Sequence, residues 1–243
     1  MDMQTTTFDK ERERGLLGYR CVVGVDEAGR GPLAGPVVAA AVSLRNQEFG
    51  IGNQENAKMW SLIRDSKKLS EKQRERAYDF ILEHFEVGIG IVNAETIDRV
   101  NILQATFLAM RAAISELRRI RNHESRIMDK DTTYLLIDGN QEIPNYSYPQ
   151  EAVIGGDGTV KSIAAASIVA KVTRDRMIVA YDKEYPGYGF AKHKGYGTKT
   201  HMEALRRLGP SPIHRMSFKP VLLSLPENAN RRFANVLKPK VRQ

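Results

Sequence analysis

The chain has 243 residues, of which 42% are hydrophobic, and this length allows one large domain with short appended segments. Its longest wholly apolar run, Val37 to Val42, is far shorter than the roughly 18 residues that a membrane span needs, and its polar first residues are unlike a signal peptide. The single cysteine, Cys21, excludes an intrachain disulfide, and the net charge of +8, from 37 basic and 29 acidic residues, favours an anionic partner such as nucleic acid.

Two short β-rich runs follow a polar N-terminal segment. Residues 1–19 are too short for a domain, so we predict an appended arm. Strands are predicted over Arg20 to Asp26 and Pro36 to Ser43, joined by a loop rich in glycine and proline. Because binding and catalytic residues concentrate in loops that a rigid scaffold holds, we expect this connection to carry function.

The middle of the chain alternates helices with strands. Ser70 and Gln73 form a capping-box pattern that predicts a helix from Ser70 to about Phe85, and Glu86 to Val92 then alternates as a strand. From Ala94 to about Asn122 apolar residues recur at helical spacing, which predicts one long amphipathic helix.

Two later strands lead into carboxylates. Thr133 to Ile137 is a nearly unbroken apolar run, typical of a strand buried on both faces, and Asp138 follows it directly. The strand predicted over Glu151 to Ile154 enters a glycine-rich turn that contains Asp157, and a helix begins near Ser162.

The order of these elements predicts an α/β fold with a mixed sheet. Strands alternate with helices, and the tight early connection between two strands requires an antiparallel pair. We predict a main domain over residues 20–222 and a basic C-terminal tail over 223–243.

Four acidic residues lie where a short strand meets glycine: Asp26, Glu27, Asp138 and Asp157. Because ligand sites in open α/β sheets favour the carboxyl ends of strands, we expect these side chains to converge. Carboxylates without a nearby cysteine or histidine favour Mg²⁺ or Mn²⁺ over Zn²⁺. Two such ions, roughly 3.5–4 Å apart, could activate a water and stabilise the leaving oxygen in phosphodiester cleavage.

Other interpretations of these acids stay open at this point. Neighbours on a regular strand point to opposite faces, so Asp26 and Glu27 reach one site only if the strand ends or twists there, which Gly24 and Gly29 would permit. Each acid taken alone is more often a cap or turn residue. A glycosidase would also pair carboxylates, but the basic net charge does not support that activity. A phosphate-cradling loop would have lysine after its last glycine, where this chain has Arg30.

Six motifs follow one another between about residues 20 and 220. They are GVDEAGRGPLAGP at 24–36, DSKKLS at 65–70, NILQAT at 101–106, LIDGN at 136–140, AASIVAKVTRD at 165–175 and HKGYGT at 193–198. With these motifs the chain closely resembles bacterial ribonuclease HII, the type 2 ribonuclease H.

The resemblance implies both a fold and an activity. The fold is ribonuclease H-like, a mixed β-sheet flanked by helices with a helical C-terminal region. The activity is cleavage of RNA paired to DNA, together with incision on the 5′ side of single ribonucleotides in duplex DNA, which leaves 3′-hydroxyl and 5′-phosphate ends.

The resemblance also implies roles for individual residues. The four acids listed above look like the metal-binding catalytic residues, with Asp175 as a competitor for Asp157, whose Gly-Gly-Asp-Gly context replaces the family's more usual Lys-Gly-Asp. Tyr196 matches a tyrosine that senses the junction between ribose and deoxyribose, and Gly197 follows it where proline is common.

Further substrate contacts are expected from the loop and from one helix. Gly29, Arg30 and Gly31 match a loop whose backbone contacts the 2′-hydroxyl, the group that separates RNA from DNA. Lys171 is spaced four residues from both Ser167 and Asp175, so these could line a polar seam beside the metals, or Lys171 and Asp175 could form a structural ion pair.

Basic and imidazole side chains complete the candidates. Lys67 and Lys68 are candidates for holding a phosphate, and His193 and His214 are candidate substrate contacts but not metal ligands.

The first hypothesis is therefore a cytoplasmic, monomeric endonuclease that uses Mn²⁺ or Mg²⁺ and removes misincorporated ribonucleotides and RNA primers. Its partners would be RNA–DNA hybrids and ribonucleotide-containing duplex DNA, without membrane contact. Two alternatives are a non-catalytic binder of duplex nucleic acid with a decayed site, and a metal-dependent hydrolase of small phosphate compounds.

Overall fold

Residues 6–45, 54–123 and 127–225 are described by a computed structural model of the chain. Most of the predicted basic tail, from residue 226 onward, lies outside the described residues. The strands are β1 (Cys21–Ala28), β2 (Val37–Leu44), β3 (Phe85–Val92), β4 (Thr133–Asp138) and β5 (Gln150–Val153). The helices are α1 (Asp9–Leu16), α2 (Gln54–Leu62), α3 (Glu71–His84), α4 (Ala94–Val100), α5 (Ile102–His123), α6 (Lys161–Glu184), α7 (Phe190–His193), α8 (Lys199–Leu208) and α9 (Lys219–Leu222).

The described residues form two compact units. The first unit takes its described residues from within Met1–Ala28, Val38–Ile91 and Phe107–Thr173. The second unit takes its described residues from within Gly29–Val37, Val92–Thr106 and Arg174–Gln243. The predicted bounds of a main domain at 20 and 222 stay a prediction.

One five-stranded sheet has the order β3-β2-β1-β4-β5. Strand β1 is antiparallel to β2 and parallel to β4, and β4 is parallel to β5. The predicted α/β fold with a mixed sheet is confirmed. The main core of the first unit lies where apolar residues of α6 pack with those of β2 and α3, among them Ala166, Val42 and Phe80.

Helix α6 begins directly against strand β1 at Gly24. A Cβ atom built on Gly24 would lie 2.2 Å from the Ser162 carbonyl carbon and 2.4 Å from the Ile163 nitrogen. Only glycine allows a strand and a helix backbone to approach this closely. The main role of Gly24 is therefore not to twist the strand but to seat the helix that carries Ser167 and Lys171.

Two element boundaries differ from the predictions. Strand β1 does not end at Asp26 but continues through Glu27 to Ala28, because both acids pair with alanines of β2. The predicted single helix over 94–122 is broken at Asn101, which has a φ of +69°. The Asn101 carboxamide accepts the Gln104 N–H at 3.1 Å and so caps α5, a position that asparagine favours.

The described residues of the N-terminal arm, 6–19, belong to the first unit. The Thr7 N–H donates to the Thr159 carbonyl, and the Lys161 N–H donates to the Thr7 carbonyl. The Glu11 carboxylate, 4% exposed, accepts the Ser162 N–H at 2.7 Å. An acid at this place satisfies a free N–H in the first turn of α6 and interacts favourably with the helix dipole.

The second unit is mostly helical after residue 174. Its core contains Ile178, Tyr188, Phe190 and Ala204, and this agrees with the predicted helical C-terminal region. Within 6–45, 54–123 and 127–225, no helix is long and apolar enough to cross a bilayer.

The close approach at Gly24 can be tested by substitution. Gly24→Ala should lower the free energy of unfolding by about 3 kcal/mol, the upper end of the overpacking range, because the new methyl group meets backbone atoms that cannot move aside. Thermal or urea unfolding measures the loss. Gly15→Ala is the control: Gly15 lies in α1 with no atom within 4 Å of a built Cβ, so we expect unchanged or slightly raised stability. Equal stability of the two variants would contradict this account.

Candidate active site

Strand pairing brings Asp26 and Asp138 side by side. In the parallel pair of β1 and β4, Val25 lies opposite Ile137, and an aspartate follows each of them. Side chains at one level of a parallel pair point to the same face of the sheet. The two carboxylates therefore share one face, close to the carboxyl ends of their strands.

Asp157 reaches the same place from a turn that follows β5. Gly155 adopts the left-handed conformation, with a φ of +66°, and a 3₁₀ turn over Gly156–Gly158 follows. The Asp157 N–H donates to Asp138 Oδ1 at 3.2 Å. One carboxylate oxygen from each of Asp26, Asp138 and Asp157 lies within 4.8 Å of the others, and we name these three residues the acid cluster.

Burial and mutual repulsion perturb the acid cluster. Asp26 is 4% exposed, and burial, followed by the charges of Glu27 and Asp138, raises its pKa well above the ordinary value. Burial and the charge of Asp157 also raise the pKa of Asp138. A nearby cation favours the ionised form of a carboxylate and so would reverse both shifts.

Lys67 and Ser167 partly offset the negative charge. Lys67 Nζ lies 3.2 Å from Asp157 Oδ2. Although partial burial lowers the pKa of Lys67, the charges of Asp157 and Asp26 raise it overall. A hydrogen bond from Ser167 favours ionised Asp26, and the Ser167 hydroxyl lies 3.0 Å from that of Ser66. Ser167 is thus beside the acids, as its spacing predicted.

Glu27 and Asp175 are not members of the acid cluster, as far as the described residues show. Glu27 follows Asp26 on a strand that continues, and alternation turns adjacent side chains to opposite faces. Its backbone N–H donates to Asp26 Oδ1 at 2.6 Å. A direct metal contact by either residue stays a prediction.

The acid cluster fits a hard divalent cation. Its donors are carboxylate oxygens without sulfur or imidazole, the set that suits Mg²⁺ or Mn²⁺. Buried carboxylates that repel one another are also stabilised by a cation between them. The cluster is therefore a candidate metal centre.

In the second unit, two buried arginines hold the glycine-rich loop over residues 29–36. The Arg215 guanidinium donates to four loop carbonyls, those of Gly29 (2.6 Å), Arg30 (2.9 Å), Pro32 (2.8 Å) and Gly35 (3.0 Å). Arg174 donates to the carbonyls of Ala34 and Pro36, each at 3.0 Å, and to that of Lys194 at 3.1 Å. Burial and repulsion from Arg174 lower the pKa of Arg215 to about 9, so it stays charged at neutral pH.

Sequence reasoning gave neither arginine a role. Arginine is almost never fully buried, so its presence in a sequence does not indicate a core position. One signal was available for Arg174: it lies four residues from both Ala170 and Ile178, which are fully buried on the same face of α6. No comparable pattern surrounds Arg215.

The predicted substrate contacts have different surroundings. Arg30 and Gly31 are exposed. Tyr196 is 45% exposed, and a Cβ built on Gly31 would lie 3.6 Å from its ring. Lys171 is half-buried on α6 in the first unit.

Two histidines that were candidates for substrate contact are buried. His193 is 9% exposed and His214 is 2% exposed, and both rings are hydrogen-bonded inside the second unit. Their burial does not support direct substrate contact.

Comparisons of sequence and of structure with known proteins find related ribonucleases H. The sequence model of the family ribonuclease HII matches residues 23–221. A ribonuclease HII of Fusobacterium nucleatum is 48% identical over 212 residues, which are 87% of this chain and 91% of that protein. The crystal structure of ribonuclease H2 from Pyrococcus horikoshii OT3 superposes with a TM-score of 0.61 at 25% identity, covering 88% of this chain and 99% of that chain. Bst-RNase HIII in complex with Mn²⁺ shares the fold, with a TM-score of 0.62 at 16% identity over 93% of this chain and 72% of its own.

Neutralising one carboxylate should stabilise the metal-free protein. Folding raises the pKa of Asp26, so ionisation of this carboxyl at neutral pH destabilises the folded state. The destabilisation grows as the pH rises from the pKa of the unfolded state to the higher pKa of the folded state. Asp26→Asn should therefore raise the melting temperature in chelator at pH 7.5, by about 3 °C per kcal/mol of repulsion removed. It should also abolish the further rise that Mn²⁺ gives the wild-type protein.

Two further variants control this experiment. Asp79→Asn removes an exposed carboxylate of α3 and should leave both the melting temperature in chelator and the Mn²⁺ response unchanged. Glu27→Gln shows whether Glu27 is a ligand, since loss of the Mn²⁺ response would place it in the site. A lower melting temperature of Asp26→Asn in chelator, with its Mn²⁺ response kept, would contradict the proposed metal centre.

Proposed function

The chain belongs to the ribonuclease HII family, and we propose that it cleaves RNA in RNA–DNA hybrids and incises duplex DNA on the 5′ side of single ribonucleotides. The products would be 3′-hydroxyl and 5′-phosphate ends. The observation that carries this proposal is the acid cluster, because a buried group of carboxylates that repel one another serves metal-dependent hydrolysis better than it serves stability.

In this proposal the acid cluster holds the metal, with Glu27 as a fourth ligand. Two Mg²⁺ or Mn²⁺ ions bound there would supply an activated water and neutralise charge on the leaving oxygen. The strand register fixes Asp26 and Asp138, and the N–H contact from Asp157 fixes the turn relative to Asp138. Lys67, whose side chain is 78% exposed, binds a substrate phosphate close to the acids.

The loop over residues 29–36 recognises the ribose through its backbone. The Gly31 N–H has no hydrogen-bond partner in the described part of the chain, so it is available to the 2′-hydroxyl, and Gly29 and Arg30 precede it in the same loop. The Tyr196 ring, exposed beside Gly31, stacks on the deoxyribose that follows the ribonucleotide. Lys171 contributes a phosphate contact, and the net charge of +8 attracts the duplex.

The cellular role that follows is ribonucleotide excision repair and removal of RNA primers, by a cytoplasmic monomer. The substrates are the RNA–DNA hybrid and the ribonucleotide-containing DNA duplex. No membrane contact is part of the proposal.

The experiment that tests the function uses a labelled DNA duplex with one ribonucleotide, with Mg²⁺, Mn²⁺ or chelator. We expect a metal-dependent nick immediately 5′ of the ribonucleotide, mapped at single-nucleotide resolution. Cutting only within a continuous RNA–DNA hybrid would keep the metal centre and overturn the role of Tyr196. Absence of cutting on both substrates would leave duplex binding alone and overturn the proposed enzyme.

Asp138→Asn should separate catalysis from binding. The amide keeps the shape of the carboxylate but loses the charge that holds the metal, so kcat should fall about a thousandfold or more. Duplex affinity, measured by fluorescence anisotropy in chelator, should stay within about twofold of that of the wild type. Affinity depends mainly on contacts to phosphates, and the proposal gives Asp138 none. Asp79→Asn should cleave at the wild-type rate, and wild-type cleavage by Asp138→Asn would show that the metal site is wrongly assigned.

A further inference from the structure

Three histidines of the second unit form one buried group. His193, His201 and His214 are 9%, 0% and 2% exposed. The rings of His193 and His201 stack with centroids 4.3 Å apart, and the Nε2 atoms of His201 and His214 lie 3.1 Å apart. The chemistry proposed above uses none of these rings.

Backbone partners assign the ring protons. The Ser211 N–H can only donate, so His214 Nδ1, 2.9 Å away, accepts, and the proton of this ring is on Nε2. The Tyr196 carbonyl can only accept, so His201 Nδ1, 2.9 Å away, carries a proton. Between the two rings, His214 Nε2–H then donates to His201 Nε2. The hydrogen bonds therefore run in one direction, from Ser211 to Tyr196.

The third ring is fixed in the same way. The Gly195 N–H donates to His193 Nδ1 at 3.3 Å, which leaves Nε2–H to donate to the Tyr188 carbonyl at 2.9 Å. All six ring nitrogens thus have partners while the three rings are neutral. A second proton on His214, at Nδ1, would face the Ser211 N–H, which is also a donor. Burial, together with the charge of His201, lowers the pKa of His214 to about 4.

The histidine group ends on the main chain of Tyr196. The Tyr196 carbonyl accepts from His201 and also from the Thr198 N–H at 2.8 Å, and its own N–H donates to the His193 carbonyl at 2.9 Å. Both backbone groups of Tyr196 are therefore held, while its ring stays exposed beside Gly31.

We infer that His201 and His214 are positioning residues that, through the Tyr196 carbonyl, fix the Tyr196 ring against Gly31. In this way they set the preference of the protein for a ribonucleotide–deoxyribonucleotide junction over a continuous hybrid. The inference rests on the proposed function, since it takes Tyr196 as the residue that reads the junction. Neither histidine touches the substrate, because both are buried.

Two substitutions at His201 separate its bond to Tyr196 from its bond to His214. The amide nitrogen of asparagine is two bonds beyond Cβ, as Nδ1 is, so His201→Asn keeps a donor for the Tyr196 carbonyl. The amide of glutamine is one bond further out, where Nε2 reaches His214, so His201→Gln loses the bond to Tyr196. The pair therefore tests one hydrogen bond with side chains of the same chemistry.

The readout is the ratio of kcat/KM on a single-ribonucleotide duplex to kcat/KM on a long RNA–DNA hybrid. His201→Gln should lower this ratio about tenfold, the effect of one hydrogen bond, whereas His201→Asn should lower it about twofold. Tyr196→Ala should lower the ratio as well, and adding His201→Gln to it should lower the ratio no further, because both changes act on one ring. A parallel loss on both substrates, or equal ratios in the two His201 variants, would overturn the inference in favour of a structural role.

A measurement without nucleic acid tests the proton assignment. Nitrogen-15 NMR of the wild-type protein at pH 7 should show His201 protonated at Nδ1, and His193 and His214 protonated at Nε2. A proton on Nε2 of His201 would overturn the inference.

The two failures can be told apart. Absence of a nick by the wild-type protein on the single-ribonucleotide duplex overturns the proposed incision at single ribonucleotides and, with it, the inference. A normal wild-type nick with an unchanged ratio in His201→Gln overturns the inference alone.

Discussion

The confinement of three carboxylates within 4.8 Å of one another is the constraint on which the first unit depends. Burial, and after it the charges of neighbouring carboxylates, raise the pKa of Asp26 and Asp138. Only a rigid scaffold can hold such a group of carboxylates. Two aspartates are fixed by the register of neighbouring parallel strands, and the third by a turn whose N–H bonds to Asp138. The close packing of α6 on β1 at Gly24 then brings Ser167 to Asp26.

The second unit shows the opposite electrostatic arrangement. Its buried charges are the guanidinium groups of Arg174 and Arg215, whose hydrogen-bond partners are backbone carbonyls and which form no ion pair within the described residues. Carbonyl dipoles satisfy the N–H donors without cancelling the positive charge. The loop over residues 29–36 is therefore held by two buried positive charges, near which lie the carboxylates of Asp98 and Asp175.

Much of this arrangement could be predicted from the sequence, and the exceptions have physical causes. The capping box at Ser70 and the convergence of Asp138 and Asp157 follow from local patterns, and the structure shows both. The break at Asn101 was missed because apolar periodicity continues through it, and only the asparagine itself indicated a cap. Whether Glu27 shares a face with Asp26 depends on whether β1 ends there, and pairing with β2 shows that the strand continues to Ala28.

The other features that the sequence did not predict depend on long-range contacts. The roles of Arg215 and of the histidines depend on partners far away in the sequence, such as the contact from Arg215 to Gly29. No local pattern encodes contacts of this kind, because periodicity reports only the neighbours on the same element. Family motifs marked His193 and Tyr196 without indicating that a hydrogen bond joins their backbones.

The loop that carries Tyr196 is made rigid by hydrogen bonds from other segments of the second unit. Gly197 follows Tyr196, and glycine alone would leave this backbone freer. The loop is nonetheless fixed by its neighbours: Arg174 bonds the Lys194 carbonyl, Leu33 donates to the Gly195 carbonyl, and His201 bonds the Tyr196 carbonyl. Three successive carbonyls are thus held by other segments of the second unit. The position of the Tyr196 ring therefore depends less on the residue at 197 than on the buried arginine and histidine side chains behind the loop.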